Sequence, residues 1–579
     1  MKRYSNARSF NDYFMMYIAR WKRAAVVLLL VWICVTYLVI SPLRIDIARC
    51  TGSREDVVEY QERLKRVTSQ LETLKQQHSN LIAQIKRSSG LNGNLKDIDT
   101  GSLFFDGGPG PTEEYENLRR RIYTNTKEVW YFVHHELKKM MQDAPNKQEI
   151  QTIMDQVSER KTSLLHDQQQ LPELDGYYDW RIAEAANVSD LVQRRLKYLQ
   201  NPPNCKDARK LVCFVNKGCG FGCQLHHIAY CLIFAYATER TVILHSKGWR
   251  YNNKGWDYVF HPISDSCTST YDDKIVQWPV TRDGKVLSLP IIDTVSQRPK
   301  FLPLAVPKDL AHRILRFNGD PSSWWIGQMI KYVMKPKAPM QKIINETMAK
   351  MNFKRPIVGI HVRRTDKVGT EAAFHHIDEY MVHVKDYYDK LELKGPVDAR
   401  RVYLASDDAN VLEDARKRHP DYVFLGDTDI AKTAATHRRY TPASLTGVLV
   451  DLHMLSMCDY LVCTFSSQIG RVAYEIMQTN RVDASDSFFS LDDIYYFGGQ
   501  NPHNRVAVMS NDGKYGDLQF QPGDLLGVAG NHWNGYGRGT NRRTNAAGQM
   551  PWYKTADNLV KYPFPEYKEV PLYTQHKDL

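Results

Sequence analysis

From Ile357 onward the chain alternates short apolar runs with amphipathic stretches. "IVGIHV" comes first, then a helical pattern over Ile377–Leu391, "RVYLASDD", "NVLEDARKR", "YVFLG", "SLTGVLVDLHML", "DYLVCTFSS" and "RVAYEIMQ". Continuous apolar runs of this length suit strands buried on both faces, and the intervening helices require those strands to run parallel. An earlier unit, "KLVCFV", the helical "IAYCLIFAYATER" and "TVILHS", repeats the pattern. The expected fold class is therefore α/β, with a Rossmann-like doubly wound sheet. Ligands meet such a sheet beyond the carboxyl ends of its strands. Those ends are His361 to Lys367, Ser406 to Asp408 and Thr464 to Gln468.

At 579 residues the chain is too long for one core. Its first part has another character. Ala24 to Ile40 carries no charge and is long enough to span a bilayer, which takes roughly 17–25 residues. Arg20, Lys22 and Arg23 precede it, with Lys2, Arg3 and Arg8 upstream, so the N-terminus is expected to stay cytosolic. A cleaved signal peptide is the alternative, but no small-x-small site precedes Ser41-Pro42. An uncleaved anchor makes everything after it lumenal.

Heptad positions follow the anchor: Val57, Leu64, Leu71, His78 and Ile85, interleaved with Tyr60, Val67, Leu74 and Leu81. Thr112 opens a second helix with Tyr115, Leu118, Ile122, Val129 and Phe132 on one face, and a third runs near Lys147 to Leu171. These helices read as a stem suited to pairing two chains. After Gly499 the sequence turns short-stranded and rich in Gly and Trp. "GDLLGV", Trp533, Pro551 and Tyr553 resemble the Src-homology-3 (SH3) pattern. The expected organisation is a cytosolic tail (1–23), anchor (24–41), stem (42–172), linker (173–204), disulfide-rich α/β part (205–355), nucleotide-binding part (356–499), SH3 domain (500–562) and C-terminal tail (563–579). The net charge of +12 would suit nucleic acid, yet the basic residues are scattered and match no binding motif. A solvated basic surface is expected, and no nucleic-acid partner.

Cys205, Cys213, Cys219, Cys223, Cys231 and Cys267 cluster in one region, an even number in a compartment that permits disulfides. Zinc is the competing reading, because Cys219 and Cys223 are spaced as ligands with His226 and His227 close behind. The lumenal setting favours disulfides. Two sequons, at Asn187 and Asn345, are compatible with it.

"GIHVRRTDKVGTEAAF" sets Arg363 and Arg364 where a strand ends, followed by Asp366, Lys367 and Glu371. Guanidinium forks bind phosphate oxygens through paired, charge-assisted hydrogen bonds, and fixed cations stabilise a departing diphosphate. A surface salt-bridge network is the bland alternative. Ser466, Ser467 and Gln468 lie between strand and helix, where they can hold phosphate or cap the helix. Asp451, on a helix, could accept from guanine or be merely solvated. Asp427-x-Asp429 has the form of a manganese site, as has Asp97-x-Asp99. Arginine forks make a divalent ion redundant, so no metal is expected.

"GIHVRRTDKVGTEAAFH", "NKGCGFGCQLHH", "CTFSSQ", "RVAYEIMQ" and "GVAGNHW" are long, specific strings. Through them, and through anchor, stem and SH3 segment, essentially the whole chain resembles the α-1,6-fucosyltransferases that fucosylate the core of N-glycans. The resemblance implies a GT-B-like, inverting enzyme without metal or cofactor. It would move L-fucose from GDP-β-L-fucose to O6 of the innermost asparagine-linked GlcNAc. A single-pass type II Golgi membrane protein is implied, homodimeric through its stem with an SH3 contribution, acting on N-glycoprotein acceptors. By the same resemblance Arg363 and Arg364 bind the diphosphate, Arg364 being catalytic, with Ser467 and Gln468 beside them. His361, Val448 and Asp451 surround the guanine, and Tyr380, Asp407 and Asp408 take further donor positions. Glu371 matches the general base with Lys367 beside it, although its bland role is a helix cap. Lys217, Asp293 and His532 grip the acceptor glycan. The implied disulfides are Cys205–Cys267, Cys213–Cys231 and Cys219–Cys223. The family also bridges the Cys463 position to a cysteine seven residues on, but here that residue is Gly470, so a relocated Cys458–Cys463 bridge is expected. Two other readings share these features: a protein O-fucosyltransferase, and a non-catalytic, membrane-tethered glycan-binding scaffold.

Overall fold

Thr112 accepts a hydrogen bond from the Tyr115 N–H at 3.1 Å and so starts helix α1 (Glu113–Asp143), where three acidic residues of the first turn suit the helix dipole. The computed structural model describes residues 110–271, 273–279, 284–290, 298–366, 368–369, 373–492, 504–531 and 533–573. The expected anchor at 24–41, the heptads from Val57 to Ile85 and the Asp97-x-Asp99 pair lie outside these. Among the described residues no helix is long and apolar enough to cross a membrane. α2 (Lys147–Leu174) packs back along α1.

Residues 173–204, expected as a linker, instead carry α3 (Tyr178–Gln200). Val188, Leu191, Val192 and Leu196 recur at helical spacing and are fully buried in the main core. At its N-terminal end Arg181 is clasped by Glu116 and Asp175, which ties stem to head.

The first parallel sheet holds β1 (Lys210–Phe214), β2 (Thr241–His245), β3 (Ile275–Gln277) and β4 (Val286–Ser288) in the order β2-β1-β4-β3. α4 (Phe221–Thr238) connects β1 to β2 and is buried almost throughout. Then come β5 (Ala305–Pro307), α5 (Lys308–Leu315), α6 (Pro321–Val333) and α7 (Ala338–Lys350).

The second parallel sheet is built from β6 (Ile357–Val362), β7 (Arg401–Ser406), β8 (Val423–Leu425), β9 (Tyr460–Cys463) and β10 (Phe488–Ser490). Its helices are α8 (Ile377–Leu391), α9 (Val411–Arg418), α10 (Thr428–Ala434), α11 (Pro442–Met457) and α12 (Gln468–Asn480). Side chains alternate across β6. Val358, Ile360 and Val362 pack with Ile377, Met381 and Val384 of α8. On the opposite face a Cβ at Gly359 would lie 3.1 Å from Leu455 and Cys458 at the end of α11, so glycine admits that helix. Helices therefore cover both faces, as expected of a doubly wound sheet. The strand order β10-β9-β6-β7-β8 makes the chain reverse direction between β6 and β9. A crevice at the carboxyl ends of those two strands is where such sheets bind ligands.

β11 (Asn504–Ala507), β12 (Leu525–Asn531), β13 (Tyr536–Asn541), β14 (Ala547–Pro551) and β15 (Thr555–Asp557) form an antiparallel sheet in the order β14-β13-β12-β11-β15. Ala507, Leu518, Phe520, Leu526, Val528, Met550 and Trp552 make its core. It leans on the stem: a Cβ at Gly535 would lie 2.9 Å from Phe132, and Tyr131 meets Trp533 edge-on. β16 (Val560–Tyr562) then pairs parallel with β5. The segment beyond it, expected as a tail, is part of the main core: Phe564, Tyr567 and Val570 are buried, with Phe564 against Tyr236 and Trp325.

Candidate active site

Arg363 and Arg364 follow β6 directly into the crevice, and the two arginines are held differently. The Arg363 guanidinium is clasped by Asp407 and Asp366. Asp366 is shared with Arg439, at 3.0 and 3.2 Å. Arg363 is thus ion-paired on both sides. Arg364 donates its backbone N–H to Asp407 Oδ1 at 2.9 Å. Among the described residues its guanidinium makes only long contacts, 3.5 Å to Asp408 Oδ2 and 3.4 Å to the His375 carbonyl, and lies 4.5 Å over the Phe374 ring. Its Nε is buried without a partner. Contacts of that length are poor hydrogen bonds, so this fork retains capacity for an anion.

Asp407 organises the turn. Burial raises its pKa, but Arg363 and donors from Thr365 and the Arg364 and Thr365 backbones outweigh that and hold it below the usual carboxylate range. It is thus an ionised bracket for the arginine pair. His361, in β6, has an unpartnered buried Nδ1, and burial pushes its imidazole down to about 4. The ring is neutral and can accept or donate.

Across the crevice, β9 is followed by Thr464, whose buried hydroxyl has no partner among the described residues. Ser466 is bound by Asp492, and Ser467 takes the N-cap position of α12 without capping it through its side chain. Gln468 opens the helix. The first backbone N–H groups of α12 therefore face the same crevice as Arg364, a setting suited to phosphate. Gln468 also meets His226 of α4.

A third group lies along α11. Asp451 is half-buried and accepts from the Tyr403 hydroxyl at 2.7 Å. Burial pushes its carboxyl up to about 7, so it is not an ordinary solvated helix Asp. Val448 lies one turn earlier on α11. Tyr380 is fully buried on α8, which raises its phenol above the usual range. Lys217, in the loop after β1, is half-buried, and burial lowers its pKa. Lys367, Glu371, Asp293 and His532 lie outside the described residues. Tyr403 and Arg439 escaped sequence reading because their partners stand 48 and 73 positions away, and His226, read as a possible zinc ligand, has its partner Gln468 242 positions away.

Residues 14–496 match the family model for alpha-(1,6)-fucosyltransferase N- and catalytic domains. An alpha-(1,6)-fucosyltransferase of Drosophila melanogaster is 51% identical over 465 residues, 79% of this chain and 75% of that one. One of Caenorhabditis elegans is 39% identical over 451 residues, 75% of this chain and 80% of that one. This chain belongs to the alpha-(1,6)-fucosyltransferase family. The crystal structure of the fucosyltransferase NodZ from Bradyrhizobium matches 46% of this chain and 92% of its own at 15% identity and a TM-score of 0.30, too distant to bear on the site.

In this alpha-(1,6)-fucosyltransferase the cysteines after the stem are bonded as Cys205–Cys267, Cys213–Cys231 and Cys219–Cys223. With Cys219 and Cys223 joined, and His226 turned to Gln468 and Glu475, that stretch is no zinc site. The expected Cys458–Cys463 bridge does not form: both thiols are free and buried. Cys458 precedes β9 and Cys463 ends it. Five residues of near-extended chain separate them by roughly 16 Å and turn their side chains to opposite faces, whereas a disulfide holds Cα atoms within about 7 Å. Asp427 and Asp429 also have other duties. Asp427 caps α10, accepting from the Asp429 N–H at 2.8 Å, and Asp429 pairs with Lys432.

Proposed function

We propose that this alpha-(1,6)-fucosyltransferase transfers L-fucose from GDP-β-L-fucose, with inversion, to O6 of the innermost asparagine-linked GlcNAc of N-glycans. The observation that carries this is the unsaturated Arg364 fork at the switch point of the second sheet, facing the start of α12. A diphosphate laid between Arg364 and the Ser467 hydroxyl and Gln468 N–H would have its developing charge met by donors already in place. Preorganised donors of this kind are worth about 3–4 kcal/mol each. Guanine would then lie toward α11, its N1 and N2 donors received by Asp451, near His361 and Val448. Glu371 takes the proton of the attacking hydroxyl on the side opposite the diphosphate, with Lys367 beside it. Lys217, Asp293 and His532 hold the acceptor. The positive charge on the phosphates comes from arginine, so no metal or cofactor is required.

The wider organisation follows the same reading. Residues 24–41 anchor the protein in the Golgi membrane with the catalytic region in the lumen, which suits the three disulfides. The parallel sheets form a GT-B-like pair, and the C-terminal antiparallel sheet is an SH3 domain. The stem pairs two copies, supported by the apolar face of α1, where Leu118 is 56% and Val129 62% exposed.

The test offers full-length protein GDP-fucose with a GlcNAc-terminated biantennary glycopeptide or a folded EGF repeat, each with and without EDTA. Chelator-insensitive transfer to the glycopeptide alone is expected. Transfer to the EGF repeat would make the protein an O-fucosyltransferase, no transfer would make it a scaffold, and loss with EDTA would reject the metal-free mechanism.

A further inference from the structure

α4 and α12 belong to different sheets of the catalytic region and touch at their N-terminal ends. Closest approach is at Gly222, where a Cβ would lie 2.9 Å from Gln468 Cβ and 3.1 Å from the Gln468 carbonyl carbon. Any larger residue would push the two helices apart. One turn further along α4, His226 inserts its ring between two residues of α12. Nε2 donates to Glu475 Oε2 at 2.7 Å, and Nδ1 meets Gln468 Oε1. His226 and Glu475 are buried, Glu475 completely. Gln468 and Glu475 are seven residues apart, two helical turns, so both project from one face of α12.

The chemistry of this arrangement is directional. A glutamine amide has an acceptor end and a donor end of nearly equal size, and turning it over exchanges them. Each ring nitrogen of His226 faces an oxygen, so with both nitrogens protonated, as an imidazolium paired with the Glu475 carboxylate, the ring donates at each end. Glu475, a buried carboxylate that needs such a donor, fixes the ring. With Oε1 of Gln468 taken by Nδ1–H, the amide nitrogen and its two N–H groups remain for another partner. Turned over, the amide would present its oxygen to an incoming anion and repel it.

We propose that His226 is a positioning residue for the sugar-nucleotide donor: anchored by Glu475, it orients the Gln468 amide so that N–H groups face the donor's phosphates. It also makes donor binding depend on the seating of α4, which carries the first sheet, against α12, which carries the phosphate end of the second. This inference rests on the donor-site reading above.

The test uses GDP as probe and two variants that each keep one of the two contacts. Asn reaches the place of Nδ1 and Gln the place of Nε2. His226→Gln keeps a donor for Glu475 but none for Gln468, and its Kd for GDP should rise about tenfold, the worth of one hydrogen bond to a charged chain of partners. His226→Asn keeps a donor for Gln468 and should stay within about threefold. KM for GDP-fucose should follow the same order while KM for the glycopeptide acceptor does not move. A merely structural role gives the reverse order, because His226→Asn is the variant that removes the Nε2 contact to the buried Glu475, and that result would overturn the proposal. Gln468→Ala separates the two levels. If it binds GDP normally, the donor-site reading itself fails. If it weakens GDP and His226→Gln does not, only the role of His226 fails. Should the His226 variants not fold, histidine-labelled wild-type protein decides by NMR. The ring resonance perturbed by Gln468→Ala must also shift when GDP is added, and no shift rejects the proposal.

Discussion

The backbone N–H of Arg364 donates to Oδ1 of Asp407 at 2.9 Å, while the same carboxylate clasps the guanidinium of Arg363. One buried acid thus fixes two neighbouring arginines by different atoms, and it leaves only the second with an open fork. The two should fail differently. Arg364→Ala should lower kcat/KM for GDP-fucose by about 10²–10³ with little change in Tm, the cost of one preorganised donor. Arg363→Ala strands Asp407 in the interior and should cost about 3–5 kcal/mol of stability. Thermal melts and steady-state kinetics on both variants check this; equal effects on Tm would contradict the division of labour.

Asp451 supplies a pH dependence. Burial holds its carboxyl at about 7 in the free protein, with Tyr403 as its hydrogen-bond donor. If Asp451 receives guanine as proposed, the N1 and N2 donors need the ionised carboxylate, so binding draws the pKa down and releases a proton. Below pH 7 the free protein keeps that proton, and GDP affinity should fall by up to about tenfold per pH unit. Calorimetry in buffers of different ionisation enthalpy should show proton release near pH 6.5, and Asp451→Asn should abolish both release and slope. The stability effect has the opposite sense. An unfolded Asp ionises near 4 and the folded one near 7, so the folded state binds the extra proton between them, and Asp451 costs stability as pH rises through that window.

The second parallel sheet was legible almost residue by residue: β6 and α8 begin and end where the apolar pattern does. Strands buried on both faces stand out, because nearly every position is apolar. α4 was harder. It starts at Phe221, seven residues before the readable helical pattern, because glycine is a poor helix former and Gly222 argues locally against a helix. The reason for that glycine is the backbone of Gln468, far away in sequence. The same holds for the site. Arg363 and Arg364 stood out by their place at a strand end, but which of them is neutralised depends on Asp407, 44 residues away. Long-range partners leave no mark in local spacing. α3 was missed for a plainer reason: its apolar stripe is interrupted by charged residues such as Arg181, Glu184 and Arg195, whose partners lie on other elements.

The stem offers a test of assembly. Leu118, Ile122 and Val129 recur along α1 and are all more than two-fifths exposed. An apolar stripe of this extent is normally covered. If the stem pairs two copies as proposed, Leu118→Glu with Val129→Glu should turn that dimer into a monomer in analytical ultracentrifugation without lowering the helix signal in circular dichroism. A dimer that survives both charges would move the interface elsewhere.

Cys463 lies beneath α12 next to Gly470. A Cβ added at Gly470 would sit 2.9 Å from its Sγ and 3.1 Å from its Cβ. Disulfides hold their Cβ atoms about 3.5–4.5 Å apart, so a shift of a few tenths of an ångström would admit a bridge. Gly470→Cys should therefore close a bond to Cys463 in an oxidising compartment, and peptide mapping should find the pair joined and Cys458 still a free thiol. A loop this short would gain about 2–3 kcal/mol from the cross-link. The bond would tie the first turn of α12 to the end of β9 and so stiffen Ser467 and Gln468. If those residues grip the donor's phosphates, the bridged variant should bind GDP at least as tightly as the wild type, with the difference abolished by reductant. Weaker binding that reductant restores would mean that the first turn of α12 has to move when GDP enters.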